Sequence, residues 1–140
     1  MKRKLSRAFD PPAPMVPVRL RSPGGLDSAD LEGKLDTGAD LCAVPEQLVE
    51  TLGLPPVRVV RAAGFLGGLQ ETIVYRVDIT LDGIDFERIE ALATRRSYAI
   101  IGRNVLRSLV LRVDGPRELL ELGPPRAPKR RGAHLGPAGE

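Results

Sequence analysis

Cysteine, histidine and tryptophan are almost missing from this chain. A single cysteine, Cys42, can form neither an intrachain disulfide nor a cysteine-rich metal site. A single histidine, His134, removes Ser-His-Asp triads and histidine-based zinc clusters from consideration, and no metal site is expected. Aromatic residues make up only 4% of the sequence, so a core must be aliphatic, drawn from the 42% apolar content. No apolar run approaches the ~18 residues needed to cross a bilayer. The basic residues near Met1 lead into "DPPAP" and no apolar run follows, so no signal peptide is visible. A cytoplasmic protein without membrane contact is the expectation.

Turn formers are plentiful. Fifteen glycines and thirteen prolines in 140 residues argue for one domain of many short elements. The net charge of +3 is unevenly spread: residues 1–14 sum to +3 and residues 123–140 to +3, which leaves −3 for residues 15–122. The basic residues therefore give no nucleic-acid face to the middle of the chain, and no nucleic-acid partner is expected. Both ends, rich in proline, glycine or charge, read as disordered tails (1–14 and 123–140) around one folded unit, 15–122.

Within that unit, "MVPVRLR" alternates as a strand does, and "LEGKLD" reads as a second strand ending on Asp36. "LCAVP" is a further apolar run, and "PEQLVETLG" a short helix with Pro45 at its first position and Gly53 as its stop. "VRVVRAA" and "QETIVYRVDITL" are β-branched runs, and Asp82-Gly83 is a tight hairpin turn. "ALAT" and "YAIIG" follow, then "RNVLRSL" with room for about two helical turns. A last hairpin runs through Asp114-Gly115. The pattern is mostly β with one or two short helices.

One stretch carries chemistry. In "KLDTGADLCAV" a carboxylate, Asp36, sits between an apolar strand and a glycine turn. Alone, Asp-Thr-Gly is a common turn, since aspartate bonds its own backbone nearby. Its context is more specific: "LDTGAD" is followed some 60 residues later by "IIGRNVL", with the glycine-rich "GFLGG" between them. This combination resembles the retropepsin-like, or retroviral-type, aspartic proteases across about residues 16–122. The resemblance implies a closed acid-protease β-barrel that is homodimeric, needs no cofactor and hydrolyses peptide or protein substrates. Two carboxylates sharing a proton can act as base and acid together. No second Asp-Ser/Thr-Gly exists here, so the second carboxylate is Asp36 of another copy. The alternative is the same fold kept as a dimerisation or peptide-binding module with little turnover.

The same resemblance gives the neighbours roles. Thr37 and Gly38 support the aspartate loop, and Ala39 and Asp40 contact a bound peptide. Asp40 also matches the position that pairs, partly buried, with the arginine of Gly-Arg-Asn, here Arg103. Ile100, Ile101 and Gly102 pack beneath the loop. Gly64, Phe65, Leu66, Gly67 and Gly68 form a flap over the substrate, with aliphatic subsites lined by Leu35, Ile73 and Ile101. The strands near residues 15–21 and 117–122 contribute to the subunit interface. Cys42 reads as a buried small apolar residue.

Overall fold

The computed structural model describes residues 1–63 and 67–126, except the side chains of residues 62 and 63. Ten strands and two short helices follow one another as β1 (Lys2–Lys4), β2 (Met15–Arg21), β3 (Ser28–Leu35), β4 (Cys42–Pro45), α1 (Glu46–Leu52), β5 (Pro56–Ala63), β6 (Leu69–Leu81), β7 (Ile84–Thr94), β8 (Ala99–Ile101), α2 (Arg103–Leu106), β9 (Val110–Asp114) and β10 (Leu119–Gly123). The mostly β composition agrees with the sequence reading. Gly53 stops α1 in the left-handed conformation, φ 63°, with its N–H on the Glu50 carbonyl. Pro45 caps that helix from outside, one position earlier than expected. The Asp82-Gly83 turn has positive φ at both residues, 51° and 73°, as a two-residue hairpin turn requires. The second helix is a single turn, shorter than the two expected.

The larger sheet runs β2-β3-β8-β4-β7-β6-β5 and closes because β6 also pairs with β2. The long strand β6 makes this possible. Its Asp78–Leu81 end pairs with β2, while residues 69–75 pair with β5 on the same side. Six strands thus form a closed barrel, with β5 as an added outer strand. Inward-facing residues are aliphatic: Val16, Leu20, Val77, Ile79, Leu81 and Ile101 are each at most 1% exposed. Such burial contributes about 1.5–3 kcal/mol per side chain. Tyr75 and Phe86 only pack partly buried against this core.

Residues 1–14 are not a disordered tail. Strand β1 pairs with β10, which pairs with β9, in a second sheet of three strands. Leu5 and Ala13 are buried, and Ser6 bridges Ala13. The composition misleads because the basic residues find acids far along the chain. Lys2 meets Glu121 at 3.5 Å, Arg3 meets Glu32 at 3.3 Å, and Arg7 meets Glu118 at 2.8 Å. At the other end, residues 127–140 of the second tail lie outside the described residues. No helix among the described residues is long and apolar enough to cross a membrane.

Candidate active site

The site is built where three strands meet out of sequence order. Strand β8 lies between β3 and β4, parallel to the first and antiparallel to the second. The turn joining β3 to β4, residues 36–41, therefore sits directly above the end of β8. Asp36 donates its N–H to the Ile101 carbonyl at 2.9 Å. Its Oδ1 accepts the Gly38 N–H at 2.8 Å, and its own carbonyl accepts the Ala39 N–H at 3.2 Å. The aspartate thus does what a turn residue does, and its half-buried carboxylate still faces an open cleft of about 740 Å³.

Gly102 and Arg103 hold the loop from below. A Cβ on Gly102 would lie 2.6 Å from the Leu41 carbonyl oxygen and 2.9 Å from that of Ala39, so only glycine lets the two segments approach this closely. Arg103 donates its backbone N–H to the Ala39 carbonyl at 2.8 Å and its Nη1 to the Thr37 carbonyl at 2.8 Å. Its Nη2 meets the Asp40 carboxylate, which brings together the two residues the resemblance pairs. The pair is not partly buried, however: Arg103 is 51% and Asp40 83% exposed in their side chains. Asp40 lies on the solvent side of the turn, so water screens the attraction.

One residue matters more than the sequence suggested. Asn104 accepts the Cys42 N–H on Oδ1 at 3.0 Å and donates Nδ2 to the Glu90 carbonyl at 2.8 Å, tying β4 to β7. It stands in the quoted "GRN" triplet and could have been found there. Cys42 is fully buried, and its Sγ accepts the Gly102 N–H at 3.3 Å. Burial pushes its thiol up to about 11, against the lowering effect of that Gly102 bond. This fits a packing role, as expected from its apolar neighbours.

The cleft wall differs from expectation. Leu35 and Ile101 are 4% and 0% exposed and point into the barrel core. Ile73 stands opposite Val59, on the face of the β5–β6 hairpin turned away from the cleft. The apolar lining comes instead from Leu41, Ala43, Val60, Leu92 and Ile100. Ile100 therefore faces the site, while Ile101 packs beneath it, because neighbouring strand residues alternate in direction. Arg58 also lines the cleft. It donates to both Glu90 carboxylate oxygens at 2.6 and 3.2 Å, and these hydrogen bonds hold Glu90 below the usual carboxylate range. Of the flap residues, Gly64, Phe65 and Leu66 lie outside the described residues. Gly67 and Gly68 have φ of 82° and 79° and lead into β6. Among the described residues, no group of three His, Cys, Asp or Glu side chains is placed to hold a metal ion.

The family described as aspartyl protease matches residues 16–111. Among solved structures, a retropepsin-like aspartic protease from Rickettsia conorii aligns with a TM-score of 0.58 at 17% identity, covering 87% of this chain and 88% of that one. The foamy viral protease-reverse transcriptase, solved with an RNA/DNA hybrid, aligns with a TM-score of 0.53 at 20% identity. That match covers 68% of this chain and only 12% of the much longer viral one. At these identities the structural likeness concerns the fold. No curated protein sequence matches the chain.

Proposed function

The chain belongs to the aspartyl protease family, and from that membership we propose that it is a homodimeric aspartic endopeptidase whose two Asp36 carboxylates share one proton. The observation that carries the reading is the Asp36 turn itself. Its backbone is fixed by the bonds with Ile101 and Ala39, and its carboxylate, held by the Gly38 N–H, faces a cleft with an aliphatic wall. One such carboxylate per chain is half of what amide hydrolysis without another nucleophile needs. In the dimer, the ionised Asp36 takes a proton from water as that water attacks the peptide carbonyl. The protonated Asp36 of the second copy gives its proton to the carbonyl oxygen. The tetrahedral intermediate then collapses as the first Asp36 gives the proton it took to the leaving nitrogen and the second takes back a hydroxyl proton, which restores the shared-proton state.

The other residues serve this geometry. Gly38, Gly102 and Arg103 set the height of the loop, while Thr37 braces it. Ala39, Asp40, Val60 and Ile100 meet an extended peptide. The test is digestion of a diverse peptide pool by wild-type protein and by Asp36→Asn, read by mass spectrometry. Cleavage that disappears in the variant supports the assignment, since an amide can neither accept the water's proton nor share one. Equal cleavage by both would remove Asp36 from the chemistry. No cleavage by either would favour a binding module.

A further inference from the structure

The cleft wall carries a cation that its own chain satisfies on one edge only. Arg58, on β5, donates to Glu90 through Nε at 3.2 Å and Nη2 at 2.6 Å. Those two bonds fill one edge of the planar guanidinium. The next edge, made by Nη1 and the second N–H of Nη2, has no acceptor among the described residues. Such an edge matches a carboxylate with two parallel hydrogen bonds. The Arg58 side chain is 47% exposed and lines the cleft, so a bound molecule can reach it.

The charges nearby favour an acidic group there. Glu90 also meets Arg76 at 3.7 Å, so two guanidinium groups share one carboxylate and the trio keeps one positive charge. One more carboxylate would balance it. Arg61 lines the same cleft and adds a further positive charge. Asp40, the exposed acid of the lining, is already engaged by Arg103. A basic side chain would therefore meet like charge at this wall.

The strand sets where that carboxylate must stand. Residues 58 to 60 pair with β6 in regular register, so Arg58 and Val60 face the cleft together, about 7 Å apart along β5. An extended peptide presents every second side chain on one side at that same spacing. We propose that Arg58 is a specificity-determining residue: it takes the side-chain carboxylate of an Asp or Glu standing two residues from an aliphatic residue seated against Val60. The proposal rests on the peptidase reading and names the class of peptide that this site takes.

Matched octapeptide pools test it. Each pool fixes one leucine, places Glu, Gln or Lys two residues to either side, and fills the other positions with uncharged residues. Amidated C-termini make the fixed side chain the only carboxylate. Wild-type protein should cleave the Glu pools at least about tenfold more efficiently in kcat/KM than the Gln pools, and the Lys pools least. In Arg58→Gln the Glu-to-Gln ratio should fall to about one, while Arg58→Lys, which keeps the charge and loses the fork, should fall between. A merely structural Arg58 would lower cleavage of both pools alike and leave the ratio unchanged, which would overturn the proposal. Binding gives a second readout that needs no turnover and no change at Arg58. Fluorescence anisotropy of labelled pools on the Asp36→Asn protein should show the same order, and equal binding of the Glu and Gln pools would overturn the proposal whatever is cleaved. If wild type cleaves all pools alike, only the specificity is wrong. If Asp36→Asn prefers the Glu pools and wild type cleaves none, only the peptidase reading is wrong.

Discussion

Replacing Gly102 with alanine should damage the site more than its size suggests. The backbone there is extended, φ −89° and ψ −176°, so alanine meets no conformational penalty. The cost comes entirely from what the methyl meets. It would lie 2.6 Å from the Leu41 carbonyl oxygen, 2.7 Å from the Leu41 carbonyl carbon and 2.9 Å from the Ala39 carbonyl oxygen. All three are backbone atoms of the Asp36 turn, and none can rotate away. Reaching ordinary contact requires the loop and β8 to part by roughly half an ångström to one ångström. That movement strains the bonds from Asp36 N–H to Ile101, from Arg103 N–H to Ala39 and from Gly102 N–H to Cys42. Overpacking of this kind costs about 1–3 kcal/mol. For a chain of this size that is a drop in melting temperature of about 4 °C per kcal/mol. If the peptidase reading holds, a displacement approaching an ångström costs up to about a hundredfold in turnover. Denaturant titration and peptide cleavage measure the two effects. Gly123→Ala, where a Cβ meets nothing within 4 Å, is the neutral control. A Gly102→Ala protein as stable and active as that control would refute the close-approach reasoning.

Arg103→Ala removes a solvent-screened ion pair, less than about 1 kcal/mol, and the bond to the Thr37 carbonyl, about 1 kcal/mol. Its melting temperature should fall by a few degrees, and no change would place Arg103 outside the loop's support. Asn104→Ala leaves the buried Cys42 N–H without its acceptor and should cost about 1–3 kcal/mol in urea titration; a loss under about 0.5 kcal/mol would count against the brace. Replacing both Gly67 and Gly68 with alanine puts side chains at φ near +80° in open space, which should slow peptide turnover and spare the fold. Equal turnover would make the segment a plain hairpin. Glu90 lies below its ordinary value in the fold, so its pairing with Arg58 stabilises above that value, 4.5, and is lost as pH falls through the depressed one. Glu90→Gln should therefore be less stable than wild type near neutrality and converge with it in strong acid, and a gap that persists there would remove the ion pair as its cause.

Turn and helix-stop signals in the sequence are legible because their causes are local. Asp82-Gly83 demands a turn with positive φ, and Gly53 ends a helix. What escaped depends on distance along the chain. The basic stretch at Lys2–Lys4 looks soluble by itself, and its role as a strand depends on β10, more than a hundred residues away. The choice between Ile100 and Ile101 as cleft residue was equally hidden. Both are apolar, and the facing of a three-residue strand is set by its neighbours β3 and β4 rather than by its own pattern. Arg58 entered the cleft wall for the same reason, through the register of β5 on β6.

The stretch from Ala99 to Asp114 ties these features into one argument. Its first residues wedge β8 between β3 and β4 and receive the Asp36 N–H; Gly102 and Arg103 then pass directly beneath the loop. Val105 and Leu106, 0% and 8% exposed, anchor the following helical turn in the core. After residues 107–109 the chain becomes β9, an edge strand of the smaller sheet. A short segment anchored in the core thus joins the support of the Asp36 turn to the second sheet. The height of the Asp36 turn is thus set by residues that the core itself holds in place.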